Sequence, residues 1–269
     1  MKKCLCLLSF IITGIFIAGC VMPRVPRIKE PLQGYVYSDA VTPREIIPVY
    51  GFDQVIIAGP VSVTVNGRQA ENQLIVRGTA ESLKDFSAQT RRGILYISAK
   101  QPVAASLNLN IPLHRLVYTS NGQMILKNIA DQSMKLVLGG NSNTAMQGEL
   151  VLSHIQISGN ARLHAYWVDS SNLHIAAGGN AKLFLAGVVT KLDIIASGNA
   201  EIDAKYLRAE NAYVRTSEDA NVGVTVKHSL GSLSTGRSTV YYYRDSRLNM
   251  LYLADRGSAL RMAGIPDRE

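Results

Sequence analysis

The dipeptide Gly-Asn recurs about every twenty residues through the second half of the chain, at Gly140-Asn141, Gly159-Asn160, Gly179-Asn180 and Gly198-Asn199. Asn121 lies one interval earlier and Asp219 one interval later, so the period outlasts the motif. A fixed period of this length points to stacked repeats, each burying its apolar face against its neighbours. The residues between the corners have the parity such a stack requires. Three, five and seven residues before Asn180 lie Ala177, Ile175 and Leu173, and before Asn199 lie Ala196, Ile194 and Leu192. One, three and five residues after the corners lie Ala161, Leu163 and Ala165, then Ala181, Leu183 and Leu185, then Ala200, Ile202 and Ala204. Strand side chains alternate between faces, so these positions form one inward surface, while Arg162, His164, Lys182, Glu201 and Asp203 point outward. Helical repeats would need three-four spacing and fewer Val, Ile, Thr and Gly residues. The expected fold is all-β: a single-stranded parallel β-helix, or β-solenoid, with coils of about 20 residues rising roughly 4.8 Å each.

The amino terminus carries a second pattern. Lys2 and Lys3 precede an apolar stretch from Leu5 to Ile17, followed by Ala18, Gly19 and Cys20. The stretch is too short for a good membrane span and reads as an export leader over residues 1–19. Ile17-Ala18-Gly19-Cys20 resembles the bacterial lipobox, which implies that Cys20 is acylated and becomes the first residue of the mature chain. Val21, rather than Asp, follows it. By resemblance to Gram-negative lipoproteins, this implies a lipid anchor in the outer membrane, with the periplasmic and cell-surface faces both open. Cys4 and Cys6 leave with the leader, so no disulfide is expected in the mature protein. The formal net charge is +8, to which the leader contributes Lys2 and Lys3. No long basic run concentrates the remainder, and an exported chain seldom meets nucleic acid, so a nucleic-acid partner is not expected.

Residues 20–50 contain Pro23, Pro26, Pro31, Pro43 and Pro48 without a sustained period and read as an extended tether. Beyond them Val55, Ile57, Val61, Val63 and Val65 alternate around Gly59-Pro60. Leu74-Ile75-Val76, Leu95-Tyr96-Ile97 and Leu107-Asn108-Leu109 follow as short strands, and Ser82 to Phe86 as a single helical turn. The opening stretch from Phe52 to Val63, then Gly93 to Ile97, the Gly-Asn coils, Val240 to Tyr243 and Gly257-Ser258 together resemble the auto-transporter adhesin family with a head GIN domain. The resemblance implies an exported β-helical domain, here over residues 51–260 with a tail at 261–269, often lipid-anchored and without established catalytic residues. The last coils depart from the pattern, with Glu218-Asp219 and Gly236-Arg237 at the corners.

Four sets of residues are candidates for function. The corner column, Gly140, Gly159, Gly179 and Gly198 with Asn141, Asn160, Asn180 and Asn199, reads as structural: glycine supplies a left-handed turn and stacked amides bond one another. Six residues before each corner Asn lie Lys135, His154, His174 and Asp193, all outward. The file His154, His174 and Asp193 contains ligand types suited to zinc, although no fourth ligand is evident and exposed strand histidines are common. The acids Asp193, Glu201, Asp203 and Asp219, with Lys182, Lys205 and Arg215, are what a carbohydrate-active β-helix enzyme would draw on, but coils this short leave little room for loops walling a cleft. Tyr166, Trp167, Phe184 and Tyr241 to Tyr243 offer aromatic surface for a ligand or for capping the stack. The favoured reading is a non-catalytic, adhesin-like or scaffolding module without a cofactor. It is held to the membrane through its lipid and takes a glycan or protein ligand. A carbohydrate-active enzyme and a structural envelope spacer are the alternatives. The ligand and the oligomeric state are not written in the sequence.

Overall fold

Period-two alternation gives this chain strands and almost nothing else, and the corner residues decide where the strands turn. The computed structural model describes residues 43–129, 133–244, 248–255 and 257–264; the leader, Cys20 and most of the proline-rich stretch lie outside the described residues. The described chain begins with β1 (Arg44–Pro48), β2 (Gln54–Ala58), β3 (Val61–Asn66) and β4 (Gln73–Arg77). A one-turn helix, α1 (Ala80–Lys84), leads to β5 (Ser87–Arg91), β6 (Ile94–Ser98), β7 (Val103–Asn108), β8 (Arg115–Ser120) and β9 (Gln123–Lys127). Thr79 starts α1 two residues before the expected turn, because its hydroxyl accepts the Ser82 N–H at 3.1 Å. Among the described residues no helix is long and apolar enough to cross a membrane.

These first strands do not stack in chain order. β2 lies between β6 and β8, and β3 between β7 and β9, all parallel. The first coil is thus inserted between the second and the third. β4 runs antiparallel on β7, β1 antiparallel on β4, and β5 antiparallel on β6, so an antiparallel layer closes this end. Arg44–Pro48, grouped by composition with the tether, belongs to that layer, and Ile47 packs against the core.

The later coils follow chain order: β10 (Met134–Gly140), β11 (Asn143–Gln147), β12 (Leu152–Ile157), β13 (Arg162–Ala177), β14 (Lys182–Ala196), β15 (Glu201–Thr216), β16 (Asn221–Ser234), β17 (Thr239–Arg244), β18 (Asn249–Ala254) and β19 (Ala259–Met262). Successive coils pair in parallel, which makes the protein a β-solenoid. Aligned residues form inner files. One runs Leu95, Val55, Leu116, Leu136, Ile155, Ile175, Ile194 and Val214, each 0% exposed, before continuing to Ser232 and Tyr252. Every inward position expected around Asn160, Asn180 and Asn199 is buried, at 5% exposure or less. Burying an Ile or Leu contributes about 1.5–3 kcal/mol, so these files are the main source of cohesion between coils.

Candidate functional site

The corner column is a continuous hydrogen-bonded ladder. Asn160 Nδ2 donates to Asn141 Oδ1 at 2.8 Å, Asn180 to Asn160 at 2.9 Å and Asn199 to Asn180 at 2.9 Å. Gly140, Gly159, Gly179 and Gly198 hold φ between 69° and 73°, and a Cβ on Gly179 would stand 3.0 Å from the Gly159 carbonyl oxygen. Glycine meets both constraints at once. At the next corners the same place is taken by Glu218 at φ 60° and Gly236 at φ 72°. There the amide ladder gives way to an ion pair, with Arg237 Nε and Nη2 each donating to Asp219 at 2.7 Å.

The outward file is also aligned. Lys135 pairs with His154, His154 with His174, and His174 with Asp193. The two imidazole centroids lie 4.6 Å apart, His174 Nδ1 is 2.8 Å from Asp193 Oδ2, and Arg215 Nη2 approaches the same oxygen at 3.8 Å. Burial, then the neighbouring His174 and Lys135, hold the His154 imidazole below its ordinary pKa. The file is therefore a stacked and ion-paired stripe, with a guanidinium beside its one carboxylate. Among the described residues no group of three or more His, Cys, Asp or Glu is gathered so as to hold a metal ion.

The acids an enzyme would draw on are each engaged by a base. Lys182 Nζ lies 2.6 Å from Glu201, Lys205 Nζ 3.4 Å from Asp203, and Asp219 is held by Arg237. Burial alone would lower the Lys205 ammonium, but the charge and hydrogen bond of Asp203 raise it overall. An ammonium held in its charged form is a poor general base near neutrality. Glu201 and Asp203 share an outer face at i, i+2, about 7 Å apart along the strand.

A further feature lies at a different corner. Between Ala165 and Val168 the register shifts, and Trp167 takes φ 70° with 46% of its surface exposed. The Leu150 N–H donates to the Trp167 carbonyl at 3.1 Å and pins this backbone. One coil on, Ala186 precedes Gly187, which pairs with Val168; the next coil places Tyr206 opposite Ala186, and Tyr206 is 38% exposed. The corner thus reads aromatic, small, aromatic over two coil spacings, roughly 10 Å. Val188, at 40% exposure, lies beside it, Lys205 Nζ sits 5.1 Å from the Tyr206 centroid, and Arg208 is exposed next to Leu207. Earlier on β13 and β14, His164 stacks on Phe184 at 4.7 Å and 12°, and its Nδ1 lies 3.4 Å from Tyr166 Oη. The sequence names Tyr166, Trp167 and Phe184. It conceals Tyr206, because in that residue's own coil the corner carries neither glycine nor asparagine, and the strand parity breaks there unannounced.

A family model described as "Putative auto-transporter adhesin, head GIN domain" matches residues 51–246. No curated protein matches the chain. Among solved structures, a putative adhesin from Parabacteroides merdae ATCC 43184 superposes with a TM-score of 0.74 at 12% identity, covering 85% of this chain and 99% of that one. A putative adhesin from Parabacteroides distasonis ATCC 8503 gives 0.72 at 12% identity, with coverage of 83% and 98%. A putative lipid binding protein from the same organism gives 0.64 at 12% identity, with coverage of 84% and 96%. At this identity the likeness establishes the shared fold.

Proposed function

The chain belongs to the head GIN domain family of auto-transporter adhesins, and on that premise we propose that it is a lipid-anchored envelope protein that binds a glycan on the corner formed by Trp167, Ala186 and Tyr206. The observation that carries this reading is Trp167. A non-glycine residue in the left-handed region costs about 1–2 kcal/mol, and strain of this kind persists where the surroundings over-determine it, characteristically at ligand sites. Trp167 combines that strain with an exposed indole. Aromatic faces stack on the apolar side of sugar rings, the small Ala186 leaves the space between the two rings, and Lys205 and Arg208 are placed to bond hydroxyls or acidic substituents. The family's adhesin character supports a binding role at the envelope, and the paired state of the outer acids supports binding without catalysis. The anchor rests on Cys20.

Glycan-array binding of wild-type protein, compared with Trp167→Ala and Tyr206→Ala, tests the site. Loss of binding in both variants, with an unchanged strand circular-dichroism spectrum, is the expected result. A ligand recovered only from protein arrays would move the reading to a protein partner. Protease shaving of intact cells, with Cys20→Ser to release the chain, distinguishes a surface rod from one protected until the outer membrane is broken.

A further inference from the structure

The last described coil of the solenoid presents an open edge. Among the described residues β18 pairs with β16 alone and β19 with β17 alone, so no described strand takes the second row of backbone donors and acceptors on either. Every residue of β18 is exposed, including those whose parity points inward. Met250 continues the inner file Leu173, Leu192, Ala212 and Leu230, yet it is 46% exposed; Leu251, Leu253 and Met262 are 68%, 60% and 62% exposed. Open strand edges are ordinarily blunted by charge or proline. The segment Asn249-Met250-Leu251-Tyr252-Leu253-Ala254 has neither.

We propose that a second copy of this chain covers this end, pairing β18 antiparallel with its own image in a two-fold symmetric dimer. A two-fold axis normal to the sheet keeps inward residues opposite inward residues only when partner numbers sum to an even value. Centring on Tyr252 places Tyr252 opposite its copy, Leu251 opposite Leu253, and Met250 opposite Ala254. Self-pairing penalises any charge on the strand, since like charges opposite one another repel. This strand carries none, and its outward Leu251 and Leu253 meet the same apolar pair of the other copy. The far end of the rod cannot substitute as a partner. There the edge of β7 is taken by β4, that of β4 by β1 and that of β6 by β5, while the outermost strands carry charge or proline, Arg44, Glu45 and Pro48 on β1 and Arg91 on β5. Head-to-tail stacking into filaments is thereby blocked, and the association closes at two copies.

The test uses two differently tagged copies of the full chain expressed together, with one tag pulled down and the other measured. Wild-type copies co-purify, and crosslinking stops at the dimer. Leu251→Lys, and independently Leu253→Lys, reduces co-purification at least tenfold, whereas Tyr96→Lys, an exposed position near the closed end, leaves it unchanged. The proposal is overturned by wild-type copies that do not co-purify, by co-purification that survives both lysine substitutions, or by crosslinked ladders longer than two. Because the glycan corner lies on other coils, glycan binding by Leu251→Lys protein is expected to persist, so failure here and failure there are read separately.

Discussion

The two ends of the rod solve the same problem in opposite ways. At the amino-terminal end the chain abandons sequential coiling, inserts β2 and β3 between later strands, and lays antiparallel strands across the outermost coil. Leu74 and Val76 within that layer, and Leu95 and Leu107 beneath it, are 0% exposed. At the carboxyl-terminal end the coils run on in order, and the core becomes smaller and more polar. The file Ile97, Ile57, Tyr118, Leu138 and Ile157 passes to Ala177, Ala196, Thr216, Ser234 and Ala254. Thr216 Oγ1 bonds Ser234 and Ser238 at 2.9 and 2.8 Å. A stack of repeats gains stability coil by coil, so its ends are its weak points. This chain spends topology on one end and leaves the other for association.

The largest expected effect separates the two ends directly. Leu74→Asp would place an unpaired carboxylate in the sealed layer and cost about 3 kcal/mol or more. Leu253→Asp, at an exposed position, should stay within about 0.5 kcal/mol in the monomer. Urea unfolding of both variants checks the contrast, and equal losses would mean that the antiparallel layer does not seal the rod.

Second in size is the corner ladder, whose chemistry changes along the rod. Asn180→Ala removes the bonds to Asn160 and Asn199 and should cost about 1–2 kcal/mol, with little dependence on salt. Arg237→Ala at the later corner should cost less and lose its effect as salt rises, because that pair is open to solvent. A strong salt dependence for Asn180→Ala would erase the distinction.

How far these features were legible in the sequence depends on whether they are local. The Gly-Asn period and the alternation around it are local, and from them followed the solenoid, the burial of Ile175 and Ile194, and the alignment of His154, His174 and Asp193. The order of the first coils was not legible, because parallel pairing of β2 with both β6 and β8 is a choice among equally apolar strands. Within the tether's composition, Arg44–Pro48 looked like more linker, since pairing on β4 leaves most of its side chains exposed. At the candidate site, Trp167 could be named but not placed. Its exposure depends on a register shift that no turn residue announces.

Acid should loosen the rod in two steps that belong to different regions. His154 and His164, on the central coils, are held below the ordinary imidazole pKa, in both cases first by burial. The unfolded chain therefore binds protons more readily, so their contribution is complete above about pH 6.5 and is lost as pH falls through the lowered folded values. Asp219 and Asp255, at the later corners, are held below the ordinary carboxylate value, by the Arg237 hydrogen bond and by the Gly236 N–H respectively. Their contribution is present above about pH 4 and is lost as pH falls through the lowered values. Melting temperature against pH should decline in both windows. His154→Gln with His164→Phe should flatten the upper decline alone, and Arg237→Ala should remove only the Asp219 share of the lower one.

The smallest expected effect asks whether outer charges take any part in holding coils together. Lys182 and Glu201 meet at 2.6 Å across β14 and β15, with 44% and 48% of their side chains exposed. A pair this open exchanges water contacts for a screened attraction and must order two long side chains, so Lys182→Ala should cost no more than about 0.5 kcal/mol. The same two coils share Leu183 against Ile202 and Ile194 against Val214 in the core. If thermal unfolding showed Lys182→Ala to cost as much as Asn180→Ala, the outer face would rank with the corner ladder as a source of cohesion. The closed and open ends would then differ in surface charge as much as in burial. A loss within the expected bound leaves the outer face free to vary, as a surface that displays a ligand site rather than holding the rod together.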